Sequence, residues 1–301
     1  MSPRRAIAHL SWPLVMGGSL LATRALVSAG WPLSRIALAM TIGNFATVVL
    51  LETLLPRDPR TSLLRDRQAV NDALHGVLFS ALGRPFASAL SLALVTALAA
   101  SPSRSAAAPL WPVALPLALQ VVLALHLWGF VNYWLHRLFH RAPRLWAFHA
   151  LHHDTPRMHV LKSGRLHVGE QMALFFAAPA PLLLLGVPAE VLLWLGLWNV
   201  FEGNLAHSNL DQRFPRWMHY AVQTPDVHYV HHAADPELHD SNFSGPTALF
   251  DLAFGTFKHP DDHPVTRLGL AEESVPRGFV AQVVEPFRRL VAAPRPGARS
   301  L

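Results

Sequence analysis

The sequence predicts an all-α fold: a polytopic membrane bundle of about four spanning helices plus a re-entrant or hairpin segment, capped by a cytoplasmic, histidine-rich helical region. Three observations predict it. Of 301 residues, 51% are hydrophobic and only 15% charged, with a mean hydropathy of +0.27, which is the balance of a membrane protein. Apolar runs long enough to cross a bilayer, about 20 residues each, recur along the chain. Thirteen of the 18 histidines fall between His136 and His239.

Taken in order, the apolar runs cover residues 8–29, 34–55, 73–100 and 110–135. Arg24, inside the first, is expected to face protein or to snorkel to a surface. A fifth run, 171–206, is broken by Gly186-Val187-Pro188, which predicts a helical hairpin entering and leaving on one side. Arg4 and Arg5 precede the first run, and Arg57, Arg60, Arg65 and Arg67 follow the second, so both ends are expected in the cytoplasm by the positive-inside rule. Counting crossings then returns the chain to the cytoplasm just before His136, and the hairpin keeps every histidine cluster there. Near the C-terminus, Phe279, Val280, Val283, Val284, Phe287, Leu290 and Val291 make a helical stripe beside Arg288 and Arg289. This reads as an amphipathic helix on the membrane or the cap, which Pro286 must kink or divide. The tail from Pro294 is expected to fray. The implied organisation is membrane spans over 1–109, a histidine-bearing domain over 110–258 and a cytoplasmic tail over 259–301.

Composition also removes whole chemistries. There is no cysteine, so disulfides, iron–sulfur clusters and thiolate-ligated haem are excluded. No Gly-x-Gly-x-x-Gly fingerprint points to a bound nicotinamide or flavin, so redox chemistry would need electrons from outside. Nothing points to a nucleic-acid partner. Arg137, Arg141, Arg144, Arg157, Lys162 and Arg165 outnumber Asp154 and Glu170 between His136 and Glu170. That basic stretch suits either an acidic electron-carrier protein or anionic lipid.

The histidines carry the chemistry. They form three tight groups, His136/His140, His149/His152/His153 and His228/His231/His232. On a helix, residues three and four apart share a face, so each group aims two or three imidazoles at one point. Neutral imidazole is the commonest ligand for iron, zinc and copper, and eight imidazoles exceed one coordination shell, so two ions are expected. Zinc proteases require His-Glu-x-x-His and soluble di-iron carboxylate proteins require Glu-x-x-His; neither occurs in this chain. Bis-imidazole haem, a non-catalytic metal-binding or transport protein, and a metal-dependent lipid hydrolase remain alternatives. Arg24, Glu52 and His126 make a poor conduit for transport. His9, His75 and His126 read as interfacial or packed residues, and His159, His219, His259 and His263 as surface or loop residues.

The segments Asn132-Tyr-Trp-Leu-His136-Arg-Leu-Phe-His140, Leu145-Trp-Ala-Phe-His149-Ala-Leu-His152-His153 and Arg165-Leu-His167-Val-Gly-Glu170 resemble the fatty acid hydroxylase/sterol desaturase superfamily of integral-membrane histidine-box enzymes. So do His207-Ser-Asn209, Thr224-Pro-Asp-Val-His228-Tyr-Val-His231-His232, Asp240-Ser-Asn242-Phe243 and Phe250-Asp251-Leu-Ala-Phe-Gly255-Thr256-Phe257. The resemblance covers residues 130–258. It implies a membrane oxygenase that uses O2 and two externally supplied electrons to hydroxylate or desaturate an unactivated C–H bond of a bilayer lipid. Two iron ions, or zinc as purified, would be the cofactors, and a ferredoxin- or cytochrome b5-like protein the donor. The implied metal ligands are His136, His140, His149, His152, His153, His207, His228, His231 and His232. His167, Glu170, His239, Asp240 and Asn242 are implied to orient them. Two departures stand out: a proline of the family pattern is missing between His167 and Glu170, and Gly203 stands where some members carry a further histidine.

Overall fold

The computed structural model describes residues 3–99, 110–271 and 275–291; the segment between the third and fourth apolar runs and the tail from Pro294 lie outside them. The helices are α1 (Pro3–Ser28), α2 (Leu33–Leu54), α3 (Ala69–Leu78), α4 (Arg84–Ala99), α5 (Leu117–Arg141), α6 (Pro143–His153), α7 (Val168–Ala177), α8 (Ala180–Leu185), α9 (Ala189–His207), α10 (Met218–Ala221), α11 (Pro225–His231), α12 (Pro236–His239), α13 (Leu249–Ala253) and α14 (Phe279–Val291). A π-turn over Phe79–Gly83 joins α3 to α4. Among the described residues, five helical stretches are long and apolar enough to cross a membrane: Ala6–Ser28, Leu33–Leu54, Ala69–Leu94, Leu117–Arg141 and Val168–Leu185. The chain is a multi-pass membrane protein.

The break expected at Gly186-Val187-Pro188 is present. Gly186 closes α8 with φ of +77°, a left-handed conformation that costs glycine nothing, and α9 begins just after Pro188. The fourth run is shifted. Residues 110–116 are not helical; Trp111 Nε1 instead donates to Gln120 Oε1 at 2.8 Å, and Gln120 Nε2 to the Leu115 carbonyl at 2.7 Å. At its other end α5 continues past 135 to Arg141, carrying His136 and His140 on its last turns. It stops because Ala142 precedes Pro143, whose ring excludes the helical conformation one residue upstream, and Pro143 then starts α6.

The described residues fall into two compact units, each assembled from separated stretches. The first comprises residues 1–69, 155–163 and 193–272. Its core is cut from sequence by spacing: α2 buries Ile36, Met40, Asn44, Val48 and Glu52, one residue in four, while Leu38, Ile42, Leu50 and Leu54 face outward. Trp12, Val15 and Met16 of α1 and Leu197, Phe201 and Leu205 of α9 complete the packing. Because lipid is as apolar as leucine, burial alone gives spans little reason to associate, and interhelical hydrogen bonds, about 0.6 kcal/mol each, set their register. Here Ser163 Oγ donates to Asn204 Oδ1 (3.2 Å), Asn204 Nδ2 to Asn44 Oδ1 (2.9 Å) and Asn44 Nδ2 to Ser19 Oγ (3.0 Å). At the end of α2, Glu52 Oε2 accepts from the backbone of Val160 and Asn209, both at 3.0 Å, and so ties two distant loops to one span.

The second unit comprises residues 70–154, 164–192 and 273–301. Within it Arg165 is wholly buried: Nη1 donates to Asp72 Oδ1 at 2.6 Å and Nε to the Leu151 carbonyl at 3.0 Å, clamping α3 to the end of α6. α14 is a single helix, so Pro286 does not divide it; the ring is buried against the unit, together with Gln282. Gln282 Oε1 pairs with His75 Nε2 at 3.1 Å, and Phe287 packs on Phe148 with ring centroids 5.4 Å apart.

Two expectations are corrected. The basic stretch is not a continuous docking face, because Arg165 is spent on Asp72 and Lys162, also buried, on Asp66 at 2.7 Å. His159, His219 and His259 are buried rather than superficial, each tied by its own hydrogen bond, as in the 2.9 Å contact of His159 Nε2 with Asp66.

Candidate metal centre

In the second unit, His136 and His140 at the end of α5 and His149 and His153 on α6 bring one ring nitrogen each to within 4.8 Å of the others. His149 shows how the set is prepared. Its burial pushes its pKa down to about 3, so at neutral pH the ring carries one proton. With Glu170 as a carboxylate, that proton sits on Nδ1, 2.6 Å from Oε1, and Nε2 is left as a bare lone pair that faces Nε2 of His136 and of His153, each at 3.1 Å. Two nitrogens bound to one ion at about 2.0–2.1 Å, at roughly 90–110° to each other, stand about 3.0–3.4 Å apart. The donor set has the dimensions of a coordination shell. His152, on the same helix, is buried with its ring centroid 5.4 Å from that of His149.

The first unit repeats the arrangement. His207 ends α9, while His228 lies in α11 and His232 is its C-cap. Their Nε2 atoms are separated by 2.8 Å (His207 to His228) and 3.0 Å (His228 to His232). His207 Nδ1 donates to the Gly203 carbonyl at 2.8 Å, which again leaves Nε2 bare. α11 is held from both ends. Thr224 Oγ1 caps its start by accepting from Val227 N, with Pro225 at the first helical position. His231 Nδ1 donates to the Ser241 carbonyl at 2.7 Å.

The remaining implied positions lie as follows. Asn242 adopts φ of +54°, and its amide donates to the Val227 and Lys258 carbonyls at 3.1 and 3.0 Å, gripping the main chain of α11 rather than an imidazole. His239 Nε2 stands 3.6 Å from Asp240 Oδ1. His167 caps α7: Nδ1 accepts from Gly169 N at 3.0 Å and Nε2 donates to the Val283 carbonyl of α14 at 2.9 Å. Sequence reasoning gave Asp251 no role beyond its place in a motif. Its buried carboxylate accepts from Phe243 N (2.8 Å), Ser244 N (2.9 Å) and Thr256 Oγ1 (2.7 Å), fixing the loop that carries Ser241 and Asn242. A lone aspartate amid Phe250-Asp251-Leu252 was the available signal.

Sets of imidazole nitrogens, with the outer nitrogens of His149 and His207 engaged by carboxylate and carbonyl, fit borderline transition ions such as iron or zinc. Fold and site thus define a polytopic membrane protein equipped to bind metal. Residues 121–256 match the family model described as fatty acid hydroxylase. The chain is 33% identical over 290 residues to an ornithine lipid hydroxylase of Rhizobium tropici, covering 94% of this chain and 85% of that protein. It is 30% identical over 131 residues to the alkylglycerol monooxygenase of Danio rerio (43% of this chain, 28% of that one), and 26% over 137 residues to that of Homo sapiens (45% and 30%). The chain belongs to the fatty acid hydroxylase family and is an oxygen-dependent lipid hydroxylase; it spans under a third of those alkylglycerol monooxygenases. No solved structure matches it.

Proposed function

We propose that this protein is a non-haem iron hydroxylase holding two iron ions per chain, one at each imidazole set. It would act on a polar-headgroup lipid from the cytoplasmic side, with two electrons from a separate ferredoxin- or cytochrome b5-like donor. The observation that carries this reading is the repeated convergence of Nε2 atoms, with Nδ1 of His149 in one set and of His207 in the other engaged behind them. Bound iron supplies the O2 activation that no side chain offers. The protein's own residues prepare for it. An ionised Glu170 and the Gly203 carbonyl would hold the ring protons of His149 and His207 on the outer nitrogen, so that no proton competes for the inner one. Burial of His149, His153 and His232 keeps bulk water from the shells. Apolar outer faces on the spans give a bilayer-dissolved substrate lateral access.

Hydroxylation is favoured over desaturation because the named relatives are a lipid hydroxylase and monooxygenases. The test is to express the chain, purify it anaerobically, measure iron, and supply 18O2 with a reducing system and total membrane lipid. The expected result is two irons per chain and one labelled oxygen in a lipid product. Turnover without O2 would instead indicate a hydrolase, and metal uptake without lipid change a transporter.

A further inference from the structure

In the first unit a cavity of about 1030 Å³ lies between the loop after α2, the segment after α9, α11 and residues 260–268. Its floor is main chain pinned to the ends of two spans. Arg57 N donates to the Asn209 carbonyl (2.7 Å), Asp211 N to Leu55 (2.9 Å) and Arg213 N to Ala8 (2.9 Å). Ala8 and Leu55 mark the same end of the α1–α2 hairpin, where the apolar stretches stop. The cavity therefore sits at headgroup level.

Four arginines and four aspartates line it. A purely anionic or purely cationic occupant would face four like charges, and an apolar one would strip water from all eight. A group with both signs meets neither cost. Arg57 is locked, 2.6 Å from Asp226 and 4.5 Å over the Tyr229 ring. Asp211 and Arg213 are different: at 3.6 Å they are too far apart to hydrogen-bond well, and the Arg213 side chain is half exposed, so both keep capacity for a ligand. Tyr229 and Val230 line the cavity, while their neighbours His228 and His232 belong to the imidazole set, so one short helix serves both.

We propose that this cavity binds the zwitterionic headgroup of a lipid, one anionic group read by Arg213 and one ammonium read by Asp211. That the lipid is the substrate rests on the hydroxylase reading above. The test compares binding to the full-length protein, in a neutral detergent, of three single-chain probes of equal acyl length: N-acylornithine, lysophosphatidylethanolamine and monoacylglycerol. Either zwitterion should bind at least tenfold more tightly than the neutral probe, and which one binds better distinguishes an amino-acid from a phosphate source. Arg213→Met and Asp211→Asn should each reduce that preference below twofold, and Arg213→Lys should restore most of it, with iron content reporting fold integrity. Equal binding of all three probes by the unmodified protein, or preference retained in both neutralised variants, overturns the proposal. O2-dependent turnover, measured in parallel, separates the two readings. Preference without turnover would sink the hydroxylase and spare the cavity, whereas turnover without preference would do the reverse.

Discussion

Glu170 Oε1 lies 2.6 Å from Nδ1 of His149, although 21 residues separate them and they sit on different helices, α7 and α6. A carboxylate there would fix which nitrogen of the ring is free and raise the ring's basicity. Replacing such a partner typically costs a metal site about 10–100-fold in affinity. Glu170→Ala should lose iron to a chelator at that much lower a chelator concentration, while Glu170→Gln, which can still accept the proton, should fall between. Identical chelator curves for all three proteins would mean that the bond does not support metal binding.

His207 tests whether the two sets are independent. Its ring nitrogen stands 2.8 Å from that of His228, and no residue of the second unit's set of His136, His140, His149 and His153 shares its helix. His207→Ala should lower iron from two to about one per chain and abolish hydroxylation, as should removal of iron by chelation, which added Fe(II) should reverse. Retention of two irons in the variant would remove His207 from the ligand set.

The Arg165–Asp72 pair should be a strong determinant of stability. Both side chains are buried, and deleting one member of such a pair leaves a naked charge at a cost of about 3–5 kcal/mol. Arg165→Met should therefore unfold at clearly lower temperature in detergent, and the double variant Arg165→Met, Asp72→Leu should recover most of the loss. If the double variant is no better than the single, the arginine matters through Leu151 instead.

Asp66 predicts an acid limb. Burial acts to raise its pKa, but hydrogen bonds from His159 and Lys162 prevail and hold it well below the usual 3.8. A carboxylate with a depressed folded pKa contributes stability that is complete above the unfolded value and lost as pH falls through the folded one. Asp66→Asn should thus be less stable than the unmodified protein at pH 7, with the gap closing below about pH 4. Parallel stability curves across pH 3–7 would contradict this.

Spans and histidine groups could be read from sequence because both are local signals: apolar length, and imidazoles one helical turn apart. Proline punctuation at 188 set one boundary as well, yet the start of α5 was misplaced because Trp111 and Gln120 look like any interfacial pair until they bond, and its end at Arg141 lies beyond the apolar run. The long-range polar pairs were invisible for a related reason. Arg165 and Lys162 are indistinguishable from solvated cations until Asp72 and Asp66, more than 90 residues upstream, come to meet them. Asn242 resembled a partner for imidazole, but a left-handed backbone turns its amide toward main-chain groups, a fact that only the dihedral reveals.

His136 and His140 ride on the final turns of a helix that begins at Leu117. At 1.5 Å per residue, the 19 steps from Leu117 to His136 span roughly 28 Å, close to the thickness of a bilayer's hydrocarbon layer. The span therefore acts as a ruler. It would set the depth of the proposed metal centre by reference to the far leaflet, so a one-residue insertion in α5 would move these imidazoles by 1.5 Å and swing them by about 100°. Bilayer thickness would thereby become a variable of the proposed chemistry, and a host that thickens or thins its membrane would also change which carbon of a lipid comes within reach.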